Sequence, residues 1–117
     1  MKTSKTRIIA DIHGKQAVIH FLSSHVRELG DVQKISEEIE AVAYNYDIEV
    51  MIVNFSKLRQ LTSAFLSRLI TLNRSLRDAG IKLRLCSMCK EVERAYKICK
   101  LQKIIPLYGS ESKALEG

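Results

Sequence analysis

Tryptophan is absent from this chain, proline occurs once, and tyrosine and phenylalanine together supply only seven residues. So few stacking side chains, with basic residues scattered and never interleaved with aromatics, argue against a direct nucleic-acid surface. No apolar run approaches the roughly 18 residues that a membrane-spanning helix needs, and the start, MKTSKTR, leads into no signal-like segment. A cytoplasmic protein is the expectation. The cysteines are three, Cys86, Cys89 and Cys99, an odd number that does not suit a disulfide framework. Cys86 and Cys89 have the spacing of half a metal knuckle, but no second pair completes four ligands, so buried small side chains at a strand end are the better reading and no cofactor is expected. His13, His20 and His25 fit neither a helix face nor a metal motif. No nucleophile–base arrangement, glycine-rich nucleotide loop or paired carboxylate stands out, which points away from an enzyme.

What the chain does have is an ordinary globular balance, 117 residues with 46% hydrophobic and 27% charged, enough for one domain over residues 1–117 with one core. The formal charge of +6 reads as solvated surface or as a face for an acidic protein partner.

Residues 7–12 and 17–22 are two β-like runs around His13, Gly14, Lys15 and Gln16, a hairpin with Gly14 in the turn; their imperfect alternation predicts one face less covered than the other. Residues 23–30 read as a connection. Ile35, Ile39, Val42 and Ala43 recur at helical spacing over 33–46, with Glu37, Glu38 and Glu40 outside. Residues 49–55 are continuously apolar around Val50–Val53, the pattern of a central strand covered on both sides. A helix follows from Thr62 or Ser63, with Phe65, Leu66, Leu69, Ile70, Leu72, Leu76 and Ala79 on its apolar face and Gly80 past its end. Residues 82–86 form another strand. Val92, Ala95, Tyr96 and Cys99 define a core-facing helix over 91–100. Residues 104–108 are extended, confined by Pro106 to an edge or a strand start, and Ser110 caps a last short helix. After the opening hairpin, strands and helices alternate as crossover units do, which predicts parallel later strands in an α/β sandwich with a mixed sheet.

The polar loop and helix start in residues 54–70, NFSKLRQLTSAFLSRLI, carry the most specific signal. A hydroxyl at Thr62 or Ser63 can accept a bond from a free N–H of the first helical turn. A phosphate on Ser63 would meet those N–H groups and the positive end of the helix dipole. From spacing alone, a helix-terminal hydroxyl without a regulatory role is the better account of the serine.

The order of features from Val50 to Leu115 resembles the STAS domain, the family of bacterial anti-sigma factor antagonists and of sulfate-transporter tails. The strand ending at Asn54, the helix start Thr62, Ser63, Ala64 and Phe65, the glycine hinge Leu76, Gly80, Leu83 and Leu85, and the tail from Cys99 to Leu115 carry the likeness. The first 49 residues match in layout only. The resemblance implies a STAS-like α/β fold with a four- to five-stranded mixed sheet and about four helices. It implies a protein-interaction switch in transcription regulation and signal transduction: the unmodified form binds an anti-sigma factor that is also a serine kinase, and phosphorylation of Ser63 ends the contact. Thr62, Ser63, Ala64, Lys57, Arg59 and Arg68 are the expected partner-binding residues, and a homodimer is left open. The sequence departs from the family pattern at Thr62, where the family has an acidic residue, at Ala64, where it has a hydroxyl, and at Phe65, where it has glycine. Those departures favour the alternative of a scaffold module, in a signalling complex or an ABC-type lipid transporter, that is never phosphorylated. Phe65 is expected to be buried, since it falls on the face of Leu69, Leu72 and Leu76.

Overall fold

The structure, a computed structural model, describes residues 2–4, 7–22 and 29–117. Six strands form one sheet in sequence order: β1 (Lys2–Ser4), β2 (Ile8–His13), β3 (Gln16–Phe21), β4 (Val50–Asn54), β5 (Lys82–Cys86) and β6 (Leu107–Tyr108). The helices are α1 (Leu29–Asn45), α2 (Ser63–Asp78), α3 (Lys90–Ile98) and α4 (Glu111–Glu116), with a 3-10 turn at Leu101–Lys103. The first three strands are antiparallel, and β3, β4, β5 and β6 run parallel through helical crossovers. This is the expected mixed-sheet STAS architecture, with β1 as one strand more than the four to five foreseen.

The hairpin closes through His13 opposite Gln16, so Gly14 takes the first loop position with φ +62°. A primed turn demands that geometry, and glycine adopts it without a steric penalty. The outer side of β2 is thinly covered, with Ile9 and Asp11 only half-buried while Ile8 and Ala10 are buried. His13 pairs with Asp11 across 3.1 Å.

The sheet is a two-sided layer. On one side Ala17, Ile19, Phe21, Met51, Val53, Leu83 and Leu85 meet the buried stripes of α1, α2 and α3 in the main core. On the other, Val18, Ile52 and Cys86 pack under Ala114 of α4 in a smaller one. Period-2 alternation sends successive residues of β4 to opposite cores, which is why Val50–Val53 must be apolar throughout. Burial of each such side chain contributes on the order of 1.5–3 kcal/mol.

α1 begins upstream of the expected residue 33. Val32, buried with Ile35, Ile39 and Val42, extends the apolar stripe one turn, and Asp31 in the first turn both complements the helix dipole and pairs with Arg7 at 3.0 Å. The connection read over 23–30 is therefore shorter; residues 23–28, His25 among them, lie outside the described part. α2 ends as expected at Gly80, whose φ is +80°. The Gly80 amide donates to Arg77 and the Ile81 amide to Leu76, the paired bonds of a Schellman terminus sealed by buried Leu76 and Ile81.

Three readings need correction. Ile70 and Ala79 are exposed rather than part of the apolar face of α2, and Cys99 is exposed past the end of α3. Ile70 and Ala79 fall outside the stripe of α2 that α1, the sheet and the loop after β4 cover, and α3 stops at Ile98, so Cys99 is already its C-terminal cap. The extended segment expected at 104–108 is reduced to Leu107–Tyr108: Ile104 and Ile105 close the 3-10 turn, both amides donating to Leu101. Pro106 stands just before the strand, where its missing N–H costs nothing.

Candidate functional site

The carboxyl ends of β4 and β5 lead into the N-termini of α2 and α3, so the loops of two crossovers meet at one end of the sheet. Asn54, 8% exposed, turns the chain there. Its side-chain oxygen accepts from the Ser56 amide at 2.9 Å, and its amide nitrogen donates to Glu111 of α4 at 3.0 Å. Such a bond from the side chain to the backbone two residues on is what ends a strand in an Asx turn. Glu111 also lies 3.2 Å from His20 on β3, so β3, β4 and α4 are tied at a single carboxylate. That cluster joins residues far apart in the chain, and no local spacing announced it.

Beyond Asn54 the loop is pinned by Phe55 and Leu58, both fully buried. The Leu58 amide donates to Phe55, and the Cys89 thiol donates to the Leu58 carbonyl at 3.6 Å. Ser56 and Lys57 between those anchors, and Arg59 and Gln60 just after them, are left exposed. Thr62 is the N-cap of α2, in extended geometry, and its hydroxyl accepts from the Phe65 amide at 3.2 Å. Its carbonyl takes the Leu66 amide at 3.1 Å. The next two N–H groups, of Ser63 and Ala64, have no partner among the described residues. Ser63 is exposed and Ala64 half-buried. The site is a hydroxyl beside two unspent donors at the positive end of a 16-residue helix.

Phe65 points inward. It is 4% exposed and meets Phe21 and Phe55 edge-on, at centroid distances of 5.9 and 6.0 Å. The ring that replaces the family's glycine thus joins the core and leaves the surface around Ser63 uncovered.

The Glu91 carboxyl is held below its ordinary range first by its own amide at the N-terminus of α3 and then by the Cys89 side chain, with smaller contributions from Arg94 and Arg59. Lys57 has no ion pair among the described residues. Arg68 is not gathered with the others. It lies five residues after Ser63, about 140° around the helix axis, and its Nε is buried beside Val32, Ile35, Ser36 and Leu72 in the niche between α1 and α2, without a hydrogen-bond partner.

Among the described residues no group of three ligating side chains converges. Cys86 is buried, and burial, its largest influence, pushes its thiol pKa up. Among the described residues no helix is long and apolar enough to cross a membrane.

The geometry agrees with what comparison shows. The STAS domain family matches residues 13–114, and the chain belongs to that family. No sequence among curated proteins matches it. Solved structures do. An anti-sigma factor antagonist from Mycobacterium paratuberculosis is similar at TM-score 0.79 and 18% identity, over 93% of this chain and 90% of that one. An anti-sigma-factor antagonist (STAS) domain protein from Planctomyces limnophilus is similar at TM-score 0.80 and 17% identity, over 93% and 95%. The anti-sigma factor antagonist SpoIIAA is similar in its unphosphorylated form at TM-score 0.76 and 16% identity, over 93% of each chain. The phosphorylated form, from Bacillus, gives TM-score 0.67 and 14% identity, over 93% and 96%. At these identities the structures establish the shared fold.

Proposed function

We propose that this protein is a non-catalytic interaction switch of the anti-sigma factor antagonist type: it binds a cognate anti-sigma factor that is also a serine kinase, and phosphorylation of Ser63 releases it. Residues 1–117 act as one domain in the cytoplasm of a bacterial cell, without a cofactor. The observation that carries the reading is the exposed Ser63 hydroxyl in the first turn of α2, next to the unspent amides of Ser63 and Ala64. A kinase can reach it, and the structural neighbour SpoIIAA occurs in both phosphorylated and unphosphorylated forms.

The physics of the switch is a change of charge at a packed surface. Unmodified, the helix start offers a neutral hydroxyl and backbone donors to the partner. A phosphate adds about −1.5 to −2 charges and takes those donors for itself. Desolvating that charge against a partner face shaped for a hydroxyl opposes binding. Thr62, standing where the family has an acidic side chain, puts no like charge beside the phosphate. Phe65, being in the core, does not block approach. Lys57 and Arg59 on the preceding loop are the contacts for acidic groups of the partner, with Arg68 at the margin toward α1.

The test is a pull-down from native lysate with wild type, Ser63→Ala and Ser63→Glu, read by mass spectrometry. Retention of a kinase-like partner by wild type and Ser63→Ala, with loss by Ser63→Glu, is the expected result. Equal retention by all three refutes the switch and makes the protein a constitutive scaffold in which Ser63 only begins a helix.

A further inference from the structure

The charge of this chain is divided between two segments. Residues 29–49 hold six acidic side chains and one basic, whereas residues 77–103 hold eight basic and three acidic. Blocks of opposite sign on one molecule give it two faces that attract each other between copies.

α1 carries the acidic block. Gln33, Glu37, Glu40 and Tyr44 follow at i, i+4, i+7 and i+11, and so fall within about 60° of one another around the helix axis, with Lys34 about 90° from the centre of the stripe. Glu37 accepts from Gln33 at 3.2 Å, and neither Glu37 nor Glu40 has an ion pair among the described residues. Tyr44 is 82% exposed, more than any other large hydrophobic side chain described. A bare tyrosine beside two free carboxylates is the kind of anchor that interfaces use.

The basic block lines a groove. Arg77, Lys82, Arg84 and Lys103 surround about 560 Å³, no acidic residue contributes, and none of the four has an ion pair among the described residues. Arg84 is held by the Ala114 carbonyl at 2.8 Å. Ile104, 50% exposed, and exposed Pro106 give the groove an apolar wall. Within one molecule the two surfaces do not meet. One part of α2 packs on α1 and another lines the groove, so α2 stands between them. α1 is tied to the start of β2 by the pair of Asp31 and Arg7, and the groove opens beside β5, three strands away or about 14 Å across the sheet.

From this bare acidic face and this uncompensated basic groove, we propose that the protein associates with itself head to tail, α1 of one copy seating in the groove of the next. Glu37 and Glu40 meet Lys82 and Lys103, and Tyr44 rests on the wall of Ile104 and Pro106. The contact joins unlike surfaces, so each addition leaves one free face and one free groove, and the assembly grows instead of stopping at a pair. Ser63 lies 14 residues before Arg77, about 21 Å along α2, and stays open in every copy.

The test is analytical ultracentrifugation of the full chain at about 20 mM salt and again at about 1 M, where screening cuts the range of charge to about 3 Å. The expected result is a mass that climbs past the dimer with protein concentration at low salt and returns to the 13.3 kDa monomer at high salt. Tyr44→Ala weakens the association about tenfold. Glu37→Gln/Glu40→Gln/Tyr44→Ala, which loses the face, and Lys82→Glu/Lys103→Glu, which loses the groove, are each monomeric alone; mixed, they form a 1:1 complex that grows no further, since each supplies the surface the other lacks. Circular dichroism confirms that both variants are folded. A wild type that is monomeric at every concentration, that stops at a dimer, or that associates equally well with either surface altered would overturn the proposal, as would two folded variants that fail to pair. A monomeric wild type that binds a hexaglutamate peptide would overturn it by assigning the groove to a different acidic partner. Ser63→Glu should leave self-association unchanged, whichever way the partner pull-down falls.

Discussion

Truncating Phe65 to alanine removes a ring that is 4% exposed and that makes two of the three edge-on contacts in the cluster with Phe21 and Phe55. Loss of a buried phenylalanine costs about 3–5 kcal/mol through transfer and cavity. Aromatic pairs contribute about 0.5–1.5 kcal/mol beyond area burial, so the upper half of that range applies, about 4 kcal/mol. A chain of 117 residues has a total stability on the order of 6–18 kcal/mol, so the variant folds but is much weakened. With a urea slope of about 1.5 kcal/mol/M, the unfolding midpoint falls by about 2.5 M. Phe65→Gly, which restores the family's residue, loses about 1 kcal/mol more from helix propensity. The assay is equilibrium urea unfolding followed by circular dichroism, with partner pull-down at low temperature, where the variant stays folded. A midpoint within a few tenths of a molar of wild type, together with altered partner binding, would refute the reasoning, since it would mean that the ring serves an interface and not the core.

Two further predictions rest on single hydrogen bonds. Thr62→Ala orphans the Phe65 amide and costs about 1 kcal/mol, whereas Thr62→Asp keeps the cap and stays within a few tenths; urea unfolding separates the two. Tyr96, 1% exposed, donates its hydroxyl to the Ile105 carbonyl, and burial, with a smaller contribution from Glu93, pushes its pKa up from 10 to about 12. Because the folded state favours the protonated phenol, that contribution is whole below pH 10 and is lost as pH rises through 12. Wild type should lose more stability over that window than Tyr96→Phe, and identical pH profiles would show that the phenol does not ionise differently in the folded and unfolded states.

The Thr62, Ser63 and Phe65 turn was readable because everything that makes it is local. A cap hydroxyl, a first turn and a glycine terminus are set by bonds spanning three to five residues, and the apolar stripe through Phe65, Leu69, Leu72 and Leu76 repeats with the helix itself. The same holds for β4, whose unbroken apolar run could only be a strand with two covered faces. Where a side chain had alternatives, spacing was not enough. Arg68 reads as a surface residue near Ser63, yet it enters the niche between α1 and α2, because Val32, Ile35 and Leu72 leave room there for its aliphatic stem. Ile70 and Cys99 fit their helical periods and are exposed because no neighbouring element covers them.

By itself, then, the sequence determined the alternation of strands and helices, the capped start of α2 and the inward face that takes Phe65, all properties of hydrogen bonding and hydrophobic period along the chain. Only the tertiary structure decided which surfaces are left open. The tie of His20 and Asn54 through Glu111 brings together residues from three elements. The short pairing of β6 with β5 exists because the chain near Leu101 bends into a turn instead of continuing as a strand. Both depend on contacts between segments distant in sequence, whose geometry is set by packing against the two cores and not by the residues adjacent to them.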